Sequence, residues 1–86
     1  MDPWKTLKYP HMTEKSVGMI EKENKIIFVV DRRADKEKIK SAFESAFGVK
    51  VEKINTELTM KGEKKAYIKL KPENKAIDVA VKLGIV

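Results

Sequence analysis

The run Lys25-Ile26-Ile27-Phe28-Val29-Val30 constrains the fold more than any other stretch of the chain. It is apolar at successive positions, so both faces of a strand built from it are hydrophobic. Such a strand belongs at the centre of a sheet, and the pattern predicts cover on both of its sides. The other segments have to be arranged around it.

Upstream, Trp4-Lys5-Thr6-Leu7-Lys8-Tyr9 alternates roughly and reads as a short strand that Pro10 ends. Thr13 is placed to cap a helix running through Glu21. Its hydroxyl can accept an orphan backbone N–H, and Glu14 suits the helix dipole. Val17, Ile20 and Met12 are expected to face inward, and Gly18 makes this helix weak by itself. Glu23-Asn24 reads as the turn into the central strand. Beyond Asp31-Arg32-Arg33-Ala34, Asp35 caps a second helix. Its Ile39, Ala42, Phe43, Ala46 and Phe47 form one amphipathic stripe, and Gly48 sits where a helix ends.

Val49 to Thr59 is strand-like but changes phase, since Val49 and Val51 share one parity while Ile54 and Leu58 share the other. A bulge near Glu52-Lys53 reconciles them. Met60 to Glu63 reads as a hairpin turn. In Lys64 to Lys71, Ala66, Ile68 and Leu70 fall on one face and Tyr67, Lys69 and Lys71 on the other. Pro72 stops that strand. Asn74 is expected to cap a last helix, with Ala76, Ile77, Ala80 and either Val81 or Leu83 inward and Gly84 at its end. The order β-α-β-α-β-β-α predicts an α+β sandwich: a mainly antiparallel four-stranded sheet with helices packed on it. At 86 residues this is one domain, 1–86.

Composition narrows function by exclusion. Cysteine is absent, which removes disulfides, thiolate zinc sites and cysteine nucleophiles, and suits a reducing compartment such as the cytoplasm. The start "MDPWKTLKYP" lacks the apolar run of a signal peptide, and no stretch approaches the roughly 18 apolar residues of a membrane span. The 19 basic and 13 acidic side chains leave a net charge of +6. That excess fits a polyanion partner, although charge-rich small proteins are also common in heat-adapted organisms.

No constellation supports catalysis. His11 has no second His or Cys to share a metal, and a surface or RNA-stacking role suits it better. The glycines are isolated, so no phosphate-cradling loop exists, and no cofactor is expected. Nothing would desolvate a carboxylate pair such as Glu21/Glu23. A small acyl-phosphate hydrolase would need such a loop and a positioned arginine, and Arg32 and Arg33 follow a strand without one. The mixed-sign run from Asp35 to Lys40 reads as a solvated face. Lys61 to Lys75 differs, holding six lysines and two glutamates. Tyr67 lies between Lys65 and Lys69, and Lys61, Lys64 and Lys65 crowd the turn. Lysines holding phosphate around a stacking ring make an RNA platform. The same lysines could instead be a solvated edge that guards against aggregation. The RNA-recognition motif matches poorly, because it needs two aromatics at alternate positions and ends in a strand.

Three segments, "YPHMTEKS", "NKIIFVVDRRADKEKIKSAFESAFGVKVEKINT" and "KGEKKAYIKLK", together resemble the universal L-twenty-three family of large-subunit ribosomal proteins in its short archaeal form. The resemblance runs from about Tyr9 to the C-terminus. It implies an antiparallel sheet with helices, no catalytic activity, and a place as a monomer on the ribosome. The partners it implies are large-subunit rRNA and neighbouring large-subunit proteins. A seat at the rim of the polypeptide exit tunnel would expose it to signal recognition particle, chaperones and the translocation channel. Matching the family's motifs makes Pro10, His11, Thr13, Lys15, Asn55, Thr56, Lys64, Lys65 and Tyr67 candidate rRNA contacts, and Tyr9, Lys61 and Lys69 join them as neighbours in the same segments. Glu14 matches the acidic residue that meets docking factors. The segment Leu58 to Lys64 is too short to be the long tunnel-reaching loop of bacterial members, and the basic N-terminal arm of eukaryotic members is absent. The competing reading is an RNA-independent protein–protein interaction module whose lysines only solubilise it.

Overall fold

The computed structural model describes residues 2–85. A single 3₁₀ turn, η1 (Pro3–Lys5), precedes β1 (Leu7–Pro10), α1 (Glu14–Glu23), β2 (Lys25–Val30), α2 (Lys36–Phe47), β3 (Val51–Leu58), β4 (Lys64–Leu70) and α3 (Ala76–Leu83). The four strands form one antiparallel sheet in the order β1-β2-β4-β3, so β2 is central and paired on both edges. The α+β architecture is the one the sequence pattern predicts.

The local signals behave as their chemistry dictates. Thr13 Oγ1 accepts the Ser16 N–H at 3.1 Å, and Ser16 Oγ accepts the Thr13 N–H at 2.7 Å, which closes a reciprocal cap. Asp35 caps α2 by accepting the Lys38 N–H at 2.8 Å. The register of β3 on β4 shifts between Val51 and Lys53, so Glu52 is the extra residue of a bulge. That bulge lets both Val51 and Ile54 point into the core.

Three expectations are corrected. Trp4 and Lys5 belong to a helical turn instead of a strand, because Asp2 accepts the Trp4 N–H at 3.0 Å and Pro3 pre-sets the first position. Trp4 then packs edge-on against Phe47, with ring centroids 5.8 Å apart. Met12 is exposed, since the chain turns a corner there. Asn74 does not cap α3: Lys75 occupies the cap position without a side-chain bond, and Asn74 Oδ1 accepts the Lys50 N–H at 2.7 Å. The expected cover of β2 on both sides holds, with helices supplying it on one face only. Ile26, Phe28 and Val30 join the core with buried residues of all three helices, among them Ile20, Ile39, Phe43, Val79 and Ala80. Ile27 and Val29 lie outside that cluster on the opposite face, yet are only 5% and 3% exposed. Register places Tyr67 beside Ile27, and Tyr9 and Lys65 on either side of Val29. Long side chains of the sheet itself therefore shield this face.

Candidate nucleic-acid interface

The helix-free face is built by period-two alternation. Ala66, Ile68 and Leu70 of β4 are buried against the helices, so Lys65, Tyr67 and Lys69 project the other way. Pairing extends this into rows across the sheet. Tyr9, Val29, Lys65 and Glu57 stand in one row, and Ile27, Tyr67 and Asn55 in the next. His11 continues the second row, its N–H donating to the Ile27 carbonyl at 2.8 Å. The third row is Lys25, Lys69 and Lys53, three ammonium side chains on neighbouring strands. Like charges directly opposite one another destabilise a sheet. Carboxylates offset part of this: Glu23 lies 3.2 Å from Lys25, and Glu52 lies 3.7 Å from Lys69.

Both tyrosines are pinned by their hydroxyls. Tyr9 donates to Glu63 Oε2 at 2.7 Å, which ties the hairpin turn to the far edge strand. Tyr67 donates to Glu57 Oε1 at 2.9 Å. The Glu63 hydrogen bond is the main cause that raises the Tyr9 phenol above its ordinary value. For Tyr67 burial comes first, and the Glu57 bond adds to it. These bonds fix the tip of each ring, and Tyr9 remains 48% exposed. A groove of about 330 Å³ runs between His11 and the hairpin turn, with Lys61, Glu63 and Lys65 along it. His11 Nδ1 is buried without a hydrogen-bond partner.

The structure thus gathers Tyr9, His11, Asn55, Lys65, Tyr67 and Lys69 on one face, with Lys61 at its rim. It separates the other candidates from them. Lys64 and Thr56 have the opposite parity, on the helix side, and Lys64 Nζ donates to the Ala34 carbonyl at 2.6 Å. Pro10 pairs with core residue Phe28 and so also lies on the helix side. The Thr13 hydroxyl is engaged in the cap with Ser16. Lys15 and Glu14 lie exposed on α1, beside exposed Met12. Sequence reasoning missed Lys25 and Lys53, which complete the lysine row, and Glu57 and Glu63, which hold the tyrosines. It also missed Ser16, whose hydroxyl donates to the His11 carbonyl at 2.8 Å and fixes the corner. Counting alternate positions outward from the bulge would have found Lys53.

Among the described residues no group of three or more His, Cys, Asp or Glu could hold a metal ion. No helix there is long and apolar enough to cross a membrane. The fold and the face define a small α+β protein with a basic, helix-free sheet surface. Known proteins place it further. The family described as "Ribosomal protein L23" matches residues 5–79. Large ribosomal subunit protein uL23 of Methanothermobacter thermautotrophicus is 49% identical over 85 residues, covering 99% of both chains. The protein of the same name in Methanococcus vannielii is 48% identical, with the same coverage. The chain belongs to the ribosomal protein L23 family. It is a structural protein of the large ribosomal subunit and part of the translation machinery.

Proposed function

We propose that the helix-free sheet face binds large-subunit rRNA at the rim of the polypeptide exit tunnel. The observation that carries this reading is the cross-strand row Lys25-Lys69-Lys53 beside two pinned tyrosines. An external polyanion would neutralise such a row, with phosphates on the lysines while the ring of Tyr9 or Tyr67 meets a base or sugar. Lys61 and Lys65 extend the positive surface along the groove beside His11. Asn55 adds an amide in the middle row. Thr13, Lys64, Thr56 and Pro10 hold the corner and hairpin that aim this face. Neighbouring large-subunit proteins complete the surroundings of the monomer, in the cytoplasm. The start of α1 is the docking surface in this reading. Glu14, exposed at a helix N-terminus with Lys15 and the apolar Met12 beside it, suits a basic and partly apolar partner such as signal recognition particle or another nascent-chain factor.

Purified protein titrated with large-subunit rRNA fragments and a length-matched control RNA over a salt series tests the sheet-face reading. Selective binding that weakens steeply with salt, and weakens further in K65Q/K69Q, is the expected result. Equal, weak binding to both RNAs would reject it in favour of the RNA-independent interaction module.

A further inference from the structure

β3 is an edge strand. Among the described residues it pairs with β4 on one side and with no strand on the other. It has eight residues, whereas the opposite edge strand β1 has four and ends in Pro10, which lacks a donor. The hairpin fixes which backbone groups of β3 are free. The Thr59 N–H donates to the Glu63 carbonyl at 2.8 Å. Alternation then turns the N–H and C=O of Glu57, Asn55 and Lys53 towards β4, opposite Lys65, Tyr67 and Lys69. Those of Ile54, Thr56 and Leu58 turn outward, where no other segment of the described chain pairs with them. The near end is closed, because Glu52 bulges and the Val51 N–H donates to Glu44 Oε2 at 2.8 Å. The open template therefore runs from Lys53 to Leu58.

Charged side chains guard exposed strand edges, and Lys53 and Glu57 mismatch most strands that could add here. A second copy of β3 matches them. In an antiparallel pair the outward groups must face one another, so the twofold axis has to pass through a residue. Centred on Lys53 or Glu57, the pair sets like charges opposite each other. Centred on Ile54 or Thr56, it leaves Lys53 opposite Asn55 or Thr59. Centred on Asn55, it sets Lys53 of each copy opposite Glu57 of the other, and the outward groups of Ile54 bond those of Thr56 across the axis. The Lys53–Glu57 pairs then fall at the positions without backbone bonds, where facing side chains are closest. Both partners have capacity. Lys53 makes no ion pair among the described residues, and the Tyr67 bond to Glu57 uses Oε1 and leaves Oε2. On the helix side, Thr56 of the second copy comes beside Ile54, where a concavity of about 130 Å³ between α2 and this edge leaves room for it. Leu58, 61% exposed, gains Ile54 of the second copy as a diagonal neighbour.

We infer that the free chain associates with a second copy of itself through the β3 edge, as a twofold-symmetric dimer centred on Asn55 that joins the two sheets into one. A template this short makes a weak dimer, which forms where the chain is concentrated and not yet on a ribosomal subunit. Nothing in this pairing depends on what the lysine row of the sheet face binds.

Sedimentation velocity of the nuclease-treated full chain, from about 10 μM to about 1 mM, tests this. The wild type is expected to pass from monomer to dimer as concentration rises. K53E and E57K each set like charges opposite one another and should weaken the dimer by about tenfold or more. K53E/E57K restores opposite charges and should restore association. Circular dichroism checks that every variant is folded. A second readout leaves these charges alone. The chain has no cysteine, so N55C carries a single thiol, which the twofold axis sets against the same thiol of the second copy. N55C should oxidise to a covalent dimer faster than K61C, whose thiol stands in the exposed turn. A wild type that stays monomeric to about 1 mM would overturn the proposal. So would a dimer that K53E leaves intact, a double exchange that fails to restore it, or equal oxidation of the two thiols.

Discussion

Asn24 Oδ1 accepts the first amide of α3, Ala76 N–H, at 2.6 Å, so a residue in the α1–β2 turn caps a helix 52 positions later. The same side chain donates through Nδ2 to the Asn74 carbonyl at 2.9 Å and the Leu70 carbonyl at 3.3 Å. Its backbone is left-handed, with φ at 55°, a conformation asparagine tolerates better than most residues. Asn24→Ala removes the remote cap and leaves part-buried carbonyls unpaired, at an expected cost of about 2–3 kcal/mol. Thermal unfolding should report a fall of roughly 10–20 °C for a domain of this size. A change below about 3 °C would mean that α3 is capped adequately by water.

Gly18 sits inside α1 and nothing lies within 4 Å of where its side chain would start. Gly18→Ala is expected to stabilise the protein by about 0.5–1 kcal/mol, through helix propensity and a less flexible unfolded chain. Denaturant titration with an unchanged slope and a higher midpoint is the expected readout.

Lys64 and Lys65 are adjacent yet face opposite ways, and mutation should separate them. Lys64→Met loses the bond to the Ala34 carbonyl and should cost about 1 kcal/mol while leaving RNA affinity nearly unchanged. Lys65→Met should leave stability nearly unchanged and lower the salt slope of RNA binding by about 0.7 to 0.9. The reverse pattern would reject the assignment of Lys65 to the contact face.

The tyrosine–carboxylate pairs set an alkaline limit. Both phenols are raised above 10.0, so the folded state favours the protonated form. Their stabilising contribution is complete below the unfolded value and disappears as pH rises through the folded one. Ultraviolet titration should show both tyrosines ionising late. Glu63→Ala should return Tyr9 close to ordinary behaviour, because the hydrogen bond is its main cause. Glu57→Ala should return Tyr67 only in part, because burial remains.

Much of this was legible before any coordinates because it is local chemistry. Thr13 and Asp35 announce helix starts, Gly48 an end at φ 65°, and the phase change around Glu52 a bulge. What escaped is what depends on distant partners. Asn24 reads as a turn residue until α3 arrives beside it. Lys64 reads as one of a cluster until parity is followed from Ala66 across the strand. The apolar positions Ile27 and Val29 predict cover on that face, but not that tyrosine and lysine stems from neighbouring strands supply it. The face was readable strand by strand, but its rows exist only once register is known.

The alternation of β4 has a consequence for how such a chain can vary over time. Ala66, Ile68 and Leu70 keep the domain folded, while Lys65, Tyr67 and Lys69, interleaved with them, make the outer surface. Substitutions at the second set leave the first untouched, so the outer surface can drift residue by residue alongside a changing partner. Gain or loss of one codon within this strand would exchange the two sets at once, putting lysines against the helices and alanine and leucine outside. Length changes are therefore disfavoured in the strand and better tolerated in the turn after Leu58, where Met60 stands fully exposed.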